Sequence, residues 1–154
     1  MTIDQSTLLF FDASCLIAAA GSPSGGSGFL LSLCQRGVLQ GAVSQPVLLE
    51  TERNLHKKRG PAELETYHRQ IALIPLILVP LPPRAERERY AALVGDKDEH
   101  VLAAALECQA PFLITLDRTL AERVNQATLP IQALTPGDFI KTVLPEHVDF
   151  PEVR

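Results

Sequence analysis

The chain lacks three things that would each have fixed a class. It has no cysteine pair at metal-binding or disulfide spacing, no excess of positive charge, and no apolar run long enough to cross a bilayer. The three cysteines, Cys15, Cys34 and Cys108, are odd in number and far apart, so they fit a reducing compartment and resemble small core residues. A net charge of −4 gives no whole-molecule positive field to recruit nucleic acid, so any such contact must be local. The longest oily segment, residues 71–81, carries Pro75 and Pro80 and is too short to span. The N-terminus has no basic stretch, and its apolar run stops at Asp12, so no signal peptide, no membrane contact and a cytoplasmic location are expected. Three catalytic classes are missing as well. The four glycines of 21–28 are followed by no Lys-Ser/Thr, which excludes a P-loop. No nucleophile-elbow sequence surrounds a serine. In Phe11-Asp12-Ala13-Ser14, a serine stands where an Asp-x-Asp phosphatase needs its second acid.

What is present is an alternation of apolar strands and amphipathic helices. With 154 residues, 46% of them hydrophobic, the chain can bury one core without staples, expected over 1–144, ahead of a loosely held tail at 145–154. Residues 8–11 read as a fully buried strand, followed by a short helix to Ala20 with Ser14 as its N-cap. Residues 21–28 read as a flexible loop beside Asp12, able to cover or expose it. A helix over 29–35, a strand over 38–43 and a helix capped by Ser44 follow; Val47, Leu48, Thr51 and Leu55 form the apolar stripe of that helix until Gly60-Pro61 interrupts it. Next come a helix over 62–72, a strand over 76–79, a charged helix over 84–93 and a largely apolar helix over 101–106. A strand over 112–116, a helix over 120–126, a strand over 131–134 and a helix over 136–143 complete the pattern. This alternation implies an α/β fold, a three-layer α/β/α sandwich around a central, mostly parallel, five-stranded sheet.

The acidic residues fall at informative places on that frame. Asp12 and Asp117 each close an apolar strand, at the C-terminal edge where open α/β sheets hold their ligands. Asp98 stands in the first turn of the apolar helix, and the helix after Ser44 carries Glu50 and Glu52, between which periodicity does not choose. Carboxylates about 4 Å apart repel by roughly 4 kcal/mol per pair at an effective dielectric near 20, so such a cluster must protonate or bind cations. With no paired His or Cys near the strand ends, the fitting ions are Mg²⁺ or Mn²⁺, which are hard and prefer oxygen. An ion so held activates water and neutralises charge building on a phosphodiester, which points to nuclease chemistry.

Each residue also has a structural reading. Asp12 or Ser14 would serve as a helix cap, Thr115 as an ordinary strand threonine, and His100 as a partly buried, hydrogen-bonded histidine. Asp96 and Glu99 have capping-box spacing, so Asp96 is read as structural, while Asp98 would gain from the helix dipole whatever its role. The basic residues Arg53, Lys57 and Lys58, with His56 and Arg59, form one patch, either a phosphate contact or a solvated helix end.

Phe11-Asp12-Ala13-Ser14, Glu50 with Leu55 five residues on, Asp98-Glu99-His100-Val101-Leu102-Ala103-Ala104-Ala105 and Leu113-Ile114-Thr115-Leu116-Asp117 occur in the order seen in the PIN-domain nucleases, which the chain resembles from about residue 8 to 140. Leu134-Thr135-Pro136-Gly137-Asp138-Phe139 looks like that family's ending strand and helix. The resemblance implies that Asp12, Glu50, Asp98 and Asp117 are metal-binding acids, with Ser14 and Thr115 as supporting hydroxyls, and it favours Glu50 over Glu52. It further implies an endoribonuclease that hydrolyses RNA phosphodiesters with Mg²⁺ or Mn²⁺; apart from the resemblance, Arg53, Lys57, Lys58 and His100 are the candidate substrate contacts among the residues. A small PIN domain without an appended module resembles the toxin subunits of bacterial toxin and antitoxin pairs, which implies an antitoxin partner and a homodimer. The alternative is a non-catalytic binding module on the same fold, for RNA or a protein partner.

Overall fold

Four consecutive apolar residues build the centre of the molecule. Leu8–Phe11 forms β1, with Leu9, Phe10 and Phe11 fully buried, because it lies between two parallel neighbours and both its faces are covered by helices. The computed structural model describes residues 1–153; Arg154, the last residue of the expected tail, lies outside the described residues. From β1 the chain runs through α1 (Ala13–Gly21) and α2 (Gly26–Gln35) to β2 (Gln40–Ser44). Helices α3 (Gln45–Lys58) and α4 (Pro61–Leu73) lead to β3 (Ile77–Val79). Then α5 (Arg84–Glu88), α6 (Ala91–Val94) and α7 (Glu99–Glu107) precede β4 (Phe112–Ile114), α8 (Arg118–Gln126), β5 (Gln132–Leu134) and α9 (Pro136–Thr142).

The sheet has the order β3-β2-β1-β4-β5, and every pairing is parallel. It is the centre of a three-layer α/β/α sandwich. The chain lays strands to one side of β1, then crosses to the other side, so the strand order reverses between β1 and β4. That reversal opens a crevice at the C-terminal ends of the two strands. Register fixes what meets there: Phe11 pairs with Ile114, so the residues that follow, Asp12 and Thr115, leave the sheet side by side. Helix α7 packs over β2, β3 and β4, and its buried Ala103, Ala104 and Ala105 let its backbone approach the sheet closely.

Several local readings differ from the structure. Helix α1 starts one residue after β1, so Asp12, not Ser14, is its N-cap and accepts from the Ala13 N–H. The glycine-rich loop is shorter than expected, because α2 begins at Gly26; Gly28 is buried, and a Cβ there would run into the Pro23 backbone. Ser44 holds the N-cap position of α3 without a side-chain bond, and its hydroxyl is sealed in the protein without a partner. The helix expected over 84–93 is interrupted at Arg89 and Tyr90, where Tyr90 packs against the core. The capping box of Asp96 and Glu99 does not form. Gly95, at φ +88°, starts a turn closed by the Asp98 N–H on the Gly95 carbonyl, and Asp98 becomes the N-cap of α7. The tail is not loosely held: His147 and Val153 are buried, Ile3 forms a bridge to His147, and His147 Nε2 lies 2.8 Å from the Val38 carbonyl.

Candidate metal centre

Asp12 is held at the crevice by a set of donors. Its Oδ1 accepts from the Ala13 N–H at 2.8 Å, and its Oδ2 accepts from the Thr115 hydroxyl at 2.8 Å and the Ser14 hydroxyl at 3.0 Å. Each hydroxyl also takes a backbone N–H from the segment after β4: Ser14 from Leu116 at 3.0 Å, Thr115 from Asp117 at 3.1 Å. The two hydroxyls therefore tie the end of β1 to the end of β4. Asp117 is exposed at the start of α8, and its Oδ1 accepts from the Leu120 N–H at 3.1 Å as an N-cap. Among the described residues its other carboxylate oxygen has no hydrogen-bond partner.

Asp98, at the N-terminus of α7, makes no side-chain cap bond. Its carboxyl is pushed above the ordinary aspartate value, first by burial and then by the negative charges of Asp12 and Asp117, with a smaller push from Glu50; Lys97 offsets part of this. The mutual repulsion expected of a carboxylate cluster is thus felt at Asp98. Glu50 and Glu52 separate by direction. The charge of Glu50 reaches Asp98, whereas that of Glu52 reaches Tyr67, whose hydroxyl is pushed up to about 12 by burial and then by Glu52.

None of these acids is held in a salt bridge among the described residues, though the charge of Lys97 reaches Asp98. Among the described residues the salt bridges are Arg69–Glu65 and Arg84–Glu88, both on exposed helix surfaces. Hard oxygen donors, negative charge offset only in part by Lys97 and a raised aspartate make a donor set that suits Mg²⁺ or Mn²⁺, and Asp12, Asp98, Asp117 and Glu50 are the residues that could hold it. Yet among the described residues no three His, Cys, Asp or Glu side chains already close around one point. The acids share one field without forming a finished cage. Such an arrangement is compatible with an ion that keeps several of its waters.

A groove of about 430 Å³ adjoins this edge, lined by Glu50, Arg53, Asn54, Lys57, Lys58, Lys97 and His100, with Pro46. It gathers all four residues marked as substrate contacts. Sequence reasoning missed Asn54 and Lys97. Asn54 was legible as the residue one turn after Glu50 on the same helix face, and Lys97 as the neighbour of Asp98. Cys15 and Cys34 are buried, and burial pushes both thiols up, Cys34 to about 12, in keeping with inert core residues.

Comparison with known proteins bears on the family and the fold. The PIN domain family profile matches residues 9–119. The chain belongs to the PIN domain family. No curated protein sequence matches it. Among solved structures, this PIN domain is similar to VapBC2 from Rickettsia felis, solved bound to a DNA fragment from their promoter, at TM-score 0.60 and 14% identity over 83% of this chain and 98% of that one. It is similar to PAE2754 from Pyrobaculum aerophilum at TM-score 0.57 and 20% identity over 84% of each chain. A third is VapBC-1 from nontypeable Haemophilus influenzae, at TM-score 0.57 and 11% identity over 84% of this chain and 98% of that one. At these identities the likeness is one of fold.

Proposed function

We propose that this PIN domain is a divalent-metal-dependent endoribonuclease that hydrolyses RNA phosphodiesters. The observation that carries the reading is Asp98: burial and three other acids raise its carboxyl at the sheet edge, offset only in part by Lys97, beside a groove lined by Arg53, Lys57, Lys58 and Lys97. In this reading Asp12, Asp98, Asp117 and Glu50 hold Mg²⁺ or Mn²⁺. Ser14 and Thr115 fix the Asp12 carboxylate, and the groove holds the strand. A bound ion supplies charge neutralisation at the phosphate and an acidified water.

Asp12→Asn tests it. Oδ1 of the amide still accepts from Ala13, while the Ser14 and Thr115 hydroxyls lose their anionic acceptor; the variant folds with a loss of about 1–3 kcal/mol. Cleavage of single-stranded RNA in Mn²⁺ should fall at least about a hundredfold, and excess chelator should do the same to the native chain. Undiminished cleavage in either case refutes the mechanism.

The similarity to VapBC proteins supports a role as the toxin of a toxin–antitoxin pair, acting in the cytoplasm as a homodimer with an antitoxin protein partner. If so, expression should arrest bacterial growth, and a small reading frame immediately upstream should relieve the arrest. The open spacing of the acids favours a second reading, a non-catalytic module that binds RNA or a protein. Reproducible Mn²⁺-dependent cuts across a panel of single-stranded RNAs exclude it.

A further inference from the structure

Among the described residues, two buried side-chain polar atoms have no hydrogen-bond partner: the Ser44 hydroxyl and His100 Nδ1. Such atoms are rare in folded proteins, and where the chain supplies no partner an ordered water usually does. Ser44 has no exposed surface. It stands at the N-cap position of α3, but Pro46 has no N–H to offer its hydroxyl, and no cap bond forms. His100 is part-buried: its ring lines the groove, yet Nδ1 is sealed.

Both atoms belong to one corner of the fold. The register that pairs Phe10 with Ala42 brings Ser44 level with Asp12 at the C-terminal edge of the sheet. Helix α7 packs over β2 and over β3, whose Val79 pairs with Ser44. It starts at that same edge, where the charges of Asp12, Asp117 and Glu50 reach Asp98. Pro46, two residues after Ser44, and His100 wall one groove. Ser44 opens the helix that carries Glu50, and His100 lies in the first turn of the helix capped by Asp98. A link between the two would do for α3 and α7 what the Ser14 and Thr115 hydroxyls do for the ends of β1 and β4.

We propose that one water is sealed between the Ser44 hydroxyl and His100 Nδ1, and that through it both are positioning residues, setting the start of α7 against the start of α3 and so Asp98 against Glu50. The water rests on the two sealed atoms and their placement. The positioning role rests also on the metal reading above.

A double-mutant cycle in urea unfolding, run without added metal, tests the bridge. Ser44→Ala should raise the unfolding constant about fivefold in the native chain and less than about twofold in His100→Leu, where the bridge is already gone. In His100→Asn, whose amide keeps a polar atom near the place of Nδ1, the loss of about fivefold should return. A Ser44→Ala variant that is more stable than the native chain, as removal of an unpaired buried hydroxyl would make it, overturns the bridge. Equal losses in the native and His100→Leu backgrounds also overturn it. A crystal structure at high resolution should show a water within about 3.2 Å of both atoms, and one that reaches only a single atom counts against the bridge.

Calorimetric titration with Mn²⁺, without RNA, tests the positioning. Ser44→Ala and His100→Leu should each weaken binding about three- to tenfold although neither removes a ligand, and His100→Asn less than about twofold. A bridge seen in the cycle together with a native chain that binds no Mn²⁺ upholds the water and overturns the metal reading. Mn²⁺ binding that is indifferent to Ser44→Ala and His100→Leu upholds the metal reading and overturns the positioning role.

Discussion

At Thr115, which has no exposed surface, a single hydroxyl donates to Asp12 and accepts from the Asp117 N–H. Thr115→Val keeps the volume but leaves a backbone donor unpaired and Asp12 one donor short, so stability should fall by about 1–3 kcal/mol, while Thr115→Ser retains most of it; denaturant melts of the two variants check this. Asp98 behaves in the opposite sense. Its carboxyl is raised by burial and by its acidic neighbours, so the metal-free fold is disfavoured by its ionisation. The stability linked to this group is complete below its ordinary value of 3.8 and is lost as pH rises through the raised value. Metal-free Asp98→Asn should therefore melt higher than the native chain near neutrality. Because the residue is half-buried and screened by solvent, the gain is under about 1 kcal/mol, on the order of 2 °C in Tm. The same variant should lose the stabilisation that Mn²⁺ confers on the native chain. A native chain that Mn²⁺ does not stabilise, or a variant that keeps the gain, contradicts this account.

Elements show where local pattern sufficed and where it failed. β1 was legible to the residue because four successive apolar side chains bounded by an acid have few other solutions, and its end placed Asp12 correctly. The start of α7 was not legible. Asp96 and Glu99 satisfy a capping rule, but the positive φ of Gly95 commits 96–98 to a turn first, and a four-residue pattern does not reveal that commitment. Glu50 and Glu52 were equivalent by periodicity and differ only in which neighbour each faces, α7 or α4. The glycine-rich stretch before α2 was misread for a related reason. Gly28 serves close packing against the Pro23 backbone, and composition alone does not tell tight contact from mobility. Gly28→Ala should therefore destabilise by about 1–3 kcal/mol through overpacking, despite the better helix propensity of alanine; a rise in Tm would show that the segment is free to move.

For the whole molecule, the fold class was readable because strand and helix periods alternate throughout, and the meeting of Asp12 with Thr115 was readable because they follow adjacent strands of such a sheet. The tail was not, since its anchoring depends on contacts remote in sequence: Ile3 with His147, and His147 with Val38. Removing residues 147–154 discards a buried valine and the two side-chain hydrogen bonds of His147, and should cost about 2–4 kcal/mol while leaving the acids in place, as urea unfolding and a Mn²⁺ titration of the truncated chain would register. The central claim is that Asp12, Asp98 and Asp117, with Glu50, share one divalent ion at the C-terminal edge of the sheet. Anomalous diffraction from crystals soaked in Mn²⁺ tests it most directly. The account predicts one strong peak or a close pair of peaks there, about 2.1 Å from oxygens of at least two of these carboxylates. Crystals saturated with Mn²⁺ that show no peak at that edge would contradict it.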